Sequence, residues 1–293
     1  MASVEANGIT IEYEEQGSGE PLLLVMGLAG QLSDWSPEFL DALAAHFRVI
    51  RFDNRDIGLS TEFSGTPPTD RQLAKALLLR RPIESEYRLS DMADDAAGLL
   101  DALGIDAAHV VGMSMGGMIG QTMAINHPHR VRSLTSVMSN TGDRKNGGIH
   151  RKVLRKLARR KPPTRETAAQ DSVDAFRLFA GSSWDPQRHL ERAQISVDRS
   201  WRPAGVARQN AAILASPDRT PDLAKVTTPT LVIHGLQDKL VKPSGGIATA
   251  RAIPGSRLLM FPDMGHDLPE TRRAETVEAI VTNTRRAAAP QPA

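Results

Sequence analysis

The 293-residue sequence predicts an α/β protein: a mostly parallel sheet with helices on both faces and a helical segment inserted late in the chain. Three observations carry this expectation. Short apolar runs, Gly-rich turns and helix patterns alternate from the N-terminus, as βα units require. The run Leu22-Leu-Leu-Val-Met26 is apolar at every position, which suits a strand buried on both faces. The alternation stops over residues 139–222, where the pattern is helical with no convincing strand.

In chain order, residues 4–15 read as a hairpin around Asn7-Gly8, a favoured two-residue turn. Strands are expected at 22–26 and 48–52, with a helix over 34–46 between them. Ser90 is placed to cap a helix whose apolar face holds Met92, Ala96, Leu99, Leu100 and Leu103, and Gly104 is placed to end it. A strand at 109–111 leads into a helix over 116–126, closed by Pro128. Residues 131–137 form a further strand. After the insertion come strands at 230–233 and 258–261, a helix near 248–252, and a last helix over about 269–286. The expected division is a first core part (1–138), a helical cap (139–222), a second core part (223–287) and a flexible Ala/Pro tail (288–293).

Composition narrows the chemistry. An apolar fraction of 40% with 24% charged residues suits a packed globular chain. The absence of cysteine excludes disulfides, thiolate metal sites and a cysteine nucleophile. The longest wholly apolar run is about six residues against the ~20 a membrane-spanning helix needs. The N-terminal M-A-S-V-E-A-N-G lacks the basic and apolar parts of a secretory signal, so a cytoplasmic location is expected. The net charge of +2 conceals an asymmetry. Residues 144–165 hold ten Lys/Arg and no Asp or Glu, which leaves the other 271 residues at −8. That block has no aromatic residue for base stacking, which argues against a nucleic-acid partner.

The segment H-V-V-G-M-S-M-G-G-M, residues 109–118, carries the chemistry. It places Ser114 in G-x-S-x-G between a strand pattern and a helix pattern. Small residues two before and two after the serine permit a sharp strand-to-helix turn that exposes its hydroxyl. A serine needs a base to take its proton, and in this arrangement the chain order is Ser, then acid, then His. Of the histidines beyond Ser114 and its helix, His150 and His189 fall in the insertion and His234 ends a strand too early. His266, in F-P-D-M-G-H between a strand and the last helix, is the expected general base. Asp238, in V-I-H-G-L-Q-D, is the expected orienting acid, with Asp263 as its rival. An oxyanion hole needs two backbone N–H groups, expected from Met115 and from Leu28 in the loop V-M-G-L-A-G.

These motifs resemble the Ser-nucleophile α/β-hydrolases, and most of all the bacterial esterase group of aclacinomycin methylesterase and mycobacterial lipase/esterases. The matching stretches are L-L-L-V-M-G (22–27), R-F-D-N-R-D-I-G-L-S (51–60), V-V-G-M-S-M-G-G-M-I (110–119), P-A-G-V-A-R-Q (203–209), T-P-T-L-V-I-H-G-L-Q-D (228–238) and P-D-M-G-H-D-L-P (262–269). The resemblance implies an α/β-hydrolase fold with a mostly parallel eight-stranded sheet and a helical cap. It also implies Ser114, Asp238 and His266 as a triad with Leu28 and Met115 as oxyanion donors. The implied activity is hydrolysis of carboxylic esters, including lipophilic natural-product esters or macrolide lactones. Lactonase, thioesterase, perhydrolase and C–C hydrolase chemistry use the same triad. A non-catalytic hydrolase-like receptor is the alternative of another class.

Asp53 and Arg55 are expected to form a structural ion pair beside the oxyanion strand. Met113, Met115, Met118 and Met123 are expected mostly in the core. Trp184, Trp201 and Met138 are candidates for the substrate pocket, although packing of a small cap explains the tryptophans as well. Residues 150–161 form a basic helix with an apolar stripe of Val153, Leu154, Leu157 and Ala158. It reads as a docked lid helix, with anion steering or contact with an anionic membrane surface as competing roles. Its narrow stripe argues against membrane insertion. No metal-ligand spacing, G-x-G-x-x-G or P-loop is present, so no cofactor or metal is expected. The expected partner is a small-molecule ester, and a homodimer is compatible with the sequence.

Overall fold

The computed structural model describes residues 2–79 and 81–288. Asn7 and Gly8 take φ of 49° and 75° and turn β1 (Ala2–Ala6) back onto β2 (Ile9–Gln16) as an antiparallel hairpin. The remaining strands are β3 (Pro21–Val25), β4 (Arg48–Phe52), β5 (Ala108–Met113), β6 (Val131–Val137), β7 (Thr230–Gly235) and β8 (Arg257–Phe261). They form one eight-stranded sheet in the order β1-β2-β4-β3-β5-β6-β7-β8, antiparallel through β4 and parallel beyond.

The continuous apolar run in β3 has a direct cause. Leu23 and Val25 face one core with the helix residues Met92, Leu99 and Ile119, while Leu22 and Leu24 face the other with Phe39, Leu43 and Ile280. All four β3 side chains are wholly buried. Each such burial contributes about 1.5–3 kcal/mol. The chain passes from β3 to β4 on one side and returns to β5 on the other. The crevice at the C-terminal ends of β3 and β5 is therefore the place where such sheets hold ligands.

The helices follow the expected pattern with local corrections. The helix expected over 34–46 is α1 (Pro37–Ala44), because Ser36 Oγ accepts from Phe39 N–H and Pro37 takes the first turn. Asp34 lies instead in a 3₁₀ turn and accepts from Gln31 N–H. No element was expected at α2 (Asp70–Leu79), which buries only Ala76 and so has little apolar periodicity to read. Ser90 does not cap α3 (Leu89–Ala102). The helix starts earlier, and Asp91 accepts from Arg88 N–H at 2.7 Å. Gly104, with φ of 66°, follows its end as expected. After β5 comes α4 (Met115–Asn126).

Between β6 and β7 lie α5 (Arg151–Leu157), α6 (Ala168–Phe176), α7 (Pro186–Arg199), α8 (Pro203–Ala215) and α9 (Thr220–Leu223), with no strand among the described residues. In α5 Val153 is buried and Leu154 and Leu157 are half-buried, but Ala158 is exposed, so the stripe is narrower than expected. The segment is tied to loops of the sheet. Ser196 donates to Asp34, Arg199 pairs with Asp53 at 2.6 Å, Arg208 pairs with Asp56, and Phe179 C=O accepts from His266 N–H. The last helices are α10 (Ser244–Ala252) and α11 (Arg273–Ala288). Beyond Ala288, the expected flexible tail lies outside the described residues.

Asp53 and Arg55 do not pair with each other. Asp53 is saturated by the N–H groups of Leu32 and Leu59 and by Arg199. Arg55 turns to α3, where it forms a bidentate pair with Asp95 at 2.6 and 2.7 Å beneath the rings of Phe63 and Tyr87.

Candidate active site

Ser114 sits at the turn from β5 to α4 with φ 56° and ψ −116°, a conformation that costs a non-glycine residue about 1–3 kcal/mol. The flanking glycines do not relieve this strain, since neither has a positive φ. They are required by close approach. A Cβ on Gly112 would lie 2.1 Å from Gly116 O, and one on Gly116 would lie 2.0 Å from Val25 O. Ser114 N–H donates to Val137 O at 2.8 Å, which holds the turn against β6.

The other two expected residues arrive from loops after β7 and β8. His266 Nε2 lies 3.0 Å from Ser114 Oγ, and His266 Nδ1 lies 2.7 Å from Asp238 Oδ2. A carboxylate only accepts, so Nδ1 carries the proton and Nε2 is left with its lone pair facing the serine hydroxyl. This arrangement can withdraw the Oγ proton and stabilise the imidazolium that results.

Asp238 is held from several sides. Its Oδ1 accepts from Leu240 and Val241 N–H at 2.8 Å each. Burial pushes its carboxyl up, but His266 and then His234 outweigh that and hold it down at about 2. His234, wholly buried, donates Nε2–H to Val241 O and stands 3.4 Å from Asp238 Oδ2. Sequence reasoning set His234 aside as a base and missed this supporting place. Its spacing four residues before Asp238 was the available signal. The rival Asp263 pairs with Arg272 and Ser183 instead.

Leu28 and Met115 are both brought to the serine. Met115 is the first residue of α4, so its N–H has no intrahelical partner. The loop after β3 passes so close that a Cβ on Gly27 would lie 3.2 Å from Ser114 Cβ. Two further residues brace that loop. Asn54 donates to Met26 O, and the wholly buried Gln209 accepts from Ala29 N–H. Gln209 lies 180 residues from Ala29 in sequence, so no local pattern could reveal the contact.

These groups open on a cavity of about 2170 Å³, lined by Leu28, Ser114, Met115, Met138, His266 and residues of α2 and α5–α8. All three expected pocket residues line it. Met138 takes φ of 43° at the end of β6, and Trp184 and Trp201 come from the inserted segment. His189 also lines it, packed on Phe176 and Trp184. Burial, and then Arg192, pushes His189 down to about 4. Among the expected core methionines, Met115, Met118 and Met123 are buried, and Met113 is partly buried. Among the described residues no cluster of His, Asp or Glu could hold a metal, and no helix is long and apolar enough to cross a membrane.

The profile of the α/β hydrolase fold family matches residues 20–272. Rhodomycin D methylesterase of Streptomyces sp. strain C5 is 30% identical, with 91% of each chain covered. A Caulobacter sp. strain K31 protein, provisionally named a carbamate hydrolase, is 29% identical over 90% of each chain. The structure of a thermophilic esterase from Thermogutta terrifontis superposes with a TM-score of 0.72 at 25% identity, covering 99% of this chain and all of the other. The chain thus belongs to the α/β hydrolase family and is a hydrolytic enzyme.

Proposed function

We propose that this enzyme is a serine esterase with Ser114 as nucleophile, His266 as general base and Asp238 as the group that orients it. The observation that carries the reading is the chain of contacts from Ser114 Oγ to His266 (3.0 Å) and from His266 to Asp238 (2.7 Å). In the first half-reaction Ser114 Oγ attacks the ester carbonyl as Nε2 takes its proton. The N–H groups of Leu28 and Met115 hold the oxyanion, and the alcohol leaves with the proton from His266. Water, deprotonated by the same histidine, then releases the acid. No step needs a metal or a cofactor.

Residues 139–222 act as a cap in this reading, with Trp184, Trp201 and Met138 forming part of the substrate wall. The cavity exceeds the ~300–1,000 Å³ common for small-molecule sites, which favours bulky, lipophilic esters. A relative named for the methyl ester of a large natural product supports the same class. We place the reaction in the cytoplasm.

A panel of p-nitrophenyl esters, lactones and thioesters, assayed with the parent enzyme and Ser114→Ala, tests the reading. Ester turnover should fall by roughly 10⁴-fold or more in the variant, and only the parent should label with a fluorophosphonate. Equal turnover in both proteins would remove Ser114 from the mechanism. Faster turnover of lactones or thioesters than of esters would reassign the substrate.

A further inference from the structure

The backbone that carries His266 is closed on itself by a side chain. Gly265 N–H donates to Asp267 Oδ1 at 3.0 Å, which makes a ring through the main chain of all three residues. The φ and ψ of His266 are torsions of that ring, so turning either one strains the bond. The N–H of His266 itself donates to Phe179 O at 2.9 Å. Both bonds act on the backbone from which the imidazole hangs.

The same carboxyl oxygen ties that ring to the inserted segment. Gly181 N–H, from the stretch between α6 and α7, donates to Asp267 Oδ1 at 2.6 Å. Ser182 N–H donates to Asp263 O at 3.0 Å, earlier in the histidine loop. The two stretches meet backbone to backbone: a Cβ on Gly265 would lie 2.3 Å from Gly181 N. The Phe179 ring stands edge-on to the imidazole, with centroids 5.9 Å apart and planes at 83°. Asp267 Oδ2 is buried and has no hydrogen-bond partner among the described residues, so both N–H groups converge on the one oxygen. An amide oxygen could take its place, and a side chain without an acceptor could not.

We propose that Asp267 is a positioning residue: its carboxyl oxygen clasps the backbone around His266 to the inserted segment and so fixes the aim of the imidazole at Ser114 Oγ. The inference rests on the esterase reading, in which His266 is the general base. Nε2 stands 3.0 Å from Ser114 Oγ, and a base must stay within hydrogen-bond reach of the proton it takes. Asp238 holds the far edge of the ring through Nδ1, while Asp267 holds the backbone point from which the ring swings. The inserted segment thereby does more than cover the site, since its Gly181 and Phe179 anchor the loop of the base.

The test measures kcat and KM on p-nitrophenyl butyrate for the parent enzyme, Asp267→Ala, Asp267→Leu and Asp267→Asn, at a temperature where circular dichroism shows each to be folded. The low-field proton NMR signal of His266 Nδ1–H, identified by its absence from His266→Ala, is recorded for each. Asp267→Ala and Asp267→Leu lack the acceptor and should lower kcat by about 10- to 100-fold, with KM changed less than about threefold. Their Nδ1–H signal should broaden or vanish. Leucine keeps the branched shape of the side chain, so the comparison stands if the alanine variant does not fold. Asp267→Asn keeps one acceptor oxygen and should hold kcat within about threefold of the parent, with the signal retained. A purely structural role would lower the melting temperature yet leave kcat and the imidazole signal of the folded variants at parent values, which overturns the proposal. An asparagine variant as slow as the alanine one overturns it too, since the charge and not the clasp would then matter. A parent enzyme that turns over no ester overturns the esterase reading instead, and the Nδ1–H signal across the variants then decides whether Asp267 holds the imidazole.

Discussion

Asp238 keeps its charge in a buried position because two backbone N–H groups and two histidines face it. Held at about 2, it lies below the ordinary carboxylate range near 4. A depressed carboxylate contributes stability in full above its unfolded-state pKa, and that contribution is lost as pH falls through the folded value. Between about pH 4 and 2 the parent should therefore lose on the order of 2 kcal/mol through this group. Asp34, Asp95 and Asp267 are pushed up by burial and titrate with the opposite sign. Urea unfolding of the parent and Asp238→Asn across this window isolates the contribution, since the difference between the curves should shrink toward low pH. The same variant should lose about 10⁴-fold in kcat at pH 7, because an amide no longer fixes the Nδ1–H tautomer. Ser114, Asp238 and His266, which we propose as the triad and which the fold brings into one hydrogen-bonded chain, could be picked out in sequence from chain order and local context. His234 carried a local signal, its place four residues before Asp238, whereas Gln209 carried none, because its partner Ala29 lies 180 residues away.

The turn from β5 to α4 is built from close backbone contacts, and its glycines are fixed by packing. Gly116→Ala places a Cβ against Val25 O, a backbone atom of the central strand that cannot move away. Overpacking of this kind costs about 1–3 kcal/mol. The variant should melt earlier and hydrolyse esters more slowly, since any relief shifts the helix that carries Met115. A thermal melt and an esterase assay on the same preparation check both effects. Strand β3 was readable from its unbroken apolar run, because a strand covered on both faces has no polar side to show. Helix α2 was not readable: Leu77 and Leu78 line the cavity, Leu77, Leu78 and Leu79 are 42–61% exposed, and the helix buries only Ala76. An element held by so few apolar contacts leaves no periodic signature.

At the scale of the whole molecule the charge asymmetry acquires a location. The basic stretch 144–165 forms α5 and its flanks, and Arg144, Arg151, Arg155 and Lys161 line the cavity that contains Ser114. Among the described residues only Arg160 of that stretch pairs with a carboxylate, Asp171 at 2.9 Å. Unpaired cations at the mouth should raise the local concentration of anionic substrates, an effect screened within about 10 Å at 0.1 M salt. Hydrolysis of an acidic ester should therefore slow as salt rises, while that of a neutral ester stays level. Replacing Arg155, Lys156 and Arg159 by Gln should flatten the dependence without lowering thermal stability. Equal salt profiles for acidic and neutral esters in the parent would leave α5 as a solvated cover.

By itself the sequence determined the layering and the strand-to-helix turn, and it picked out the groups we propose as reacting. Each is written in local periodicity or in a motif whose chemistry admits few residue types. The tertiary structure alone decided how Asp53, Asp56 and Arg55 divide their partners, which glutamine meets the Ala29 amide, and how the inserted helices bear on the loop after β3. Those outcomes depend on groups separated by 40 to 180 residues. A buried polar atom takes whichever partner the fold leaves within reach, and nothing in its neighbours along the chain records which one that is.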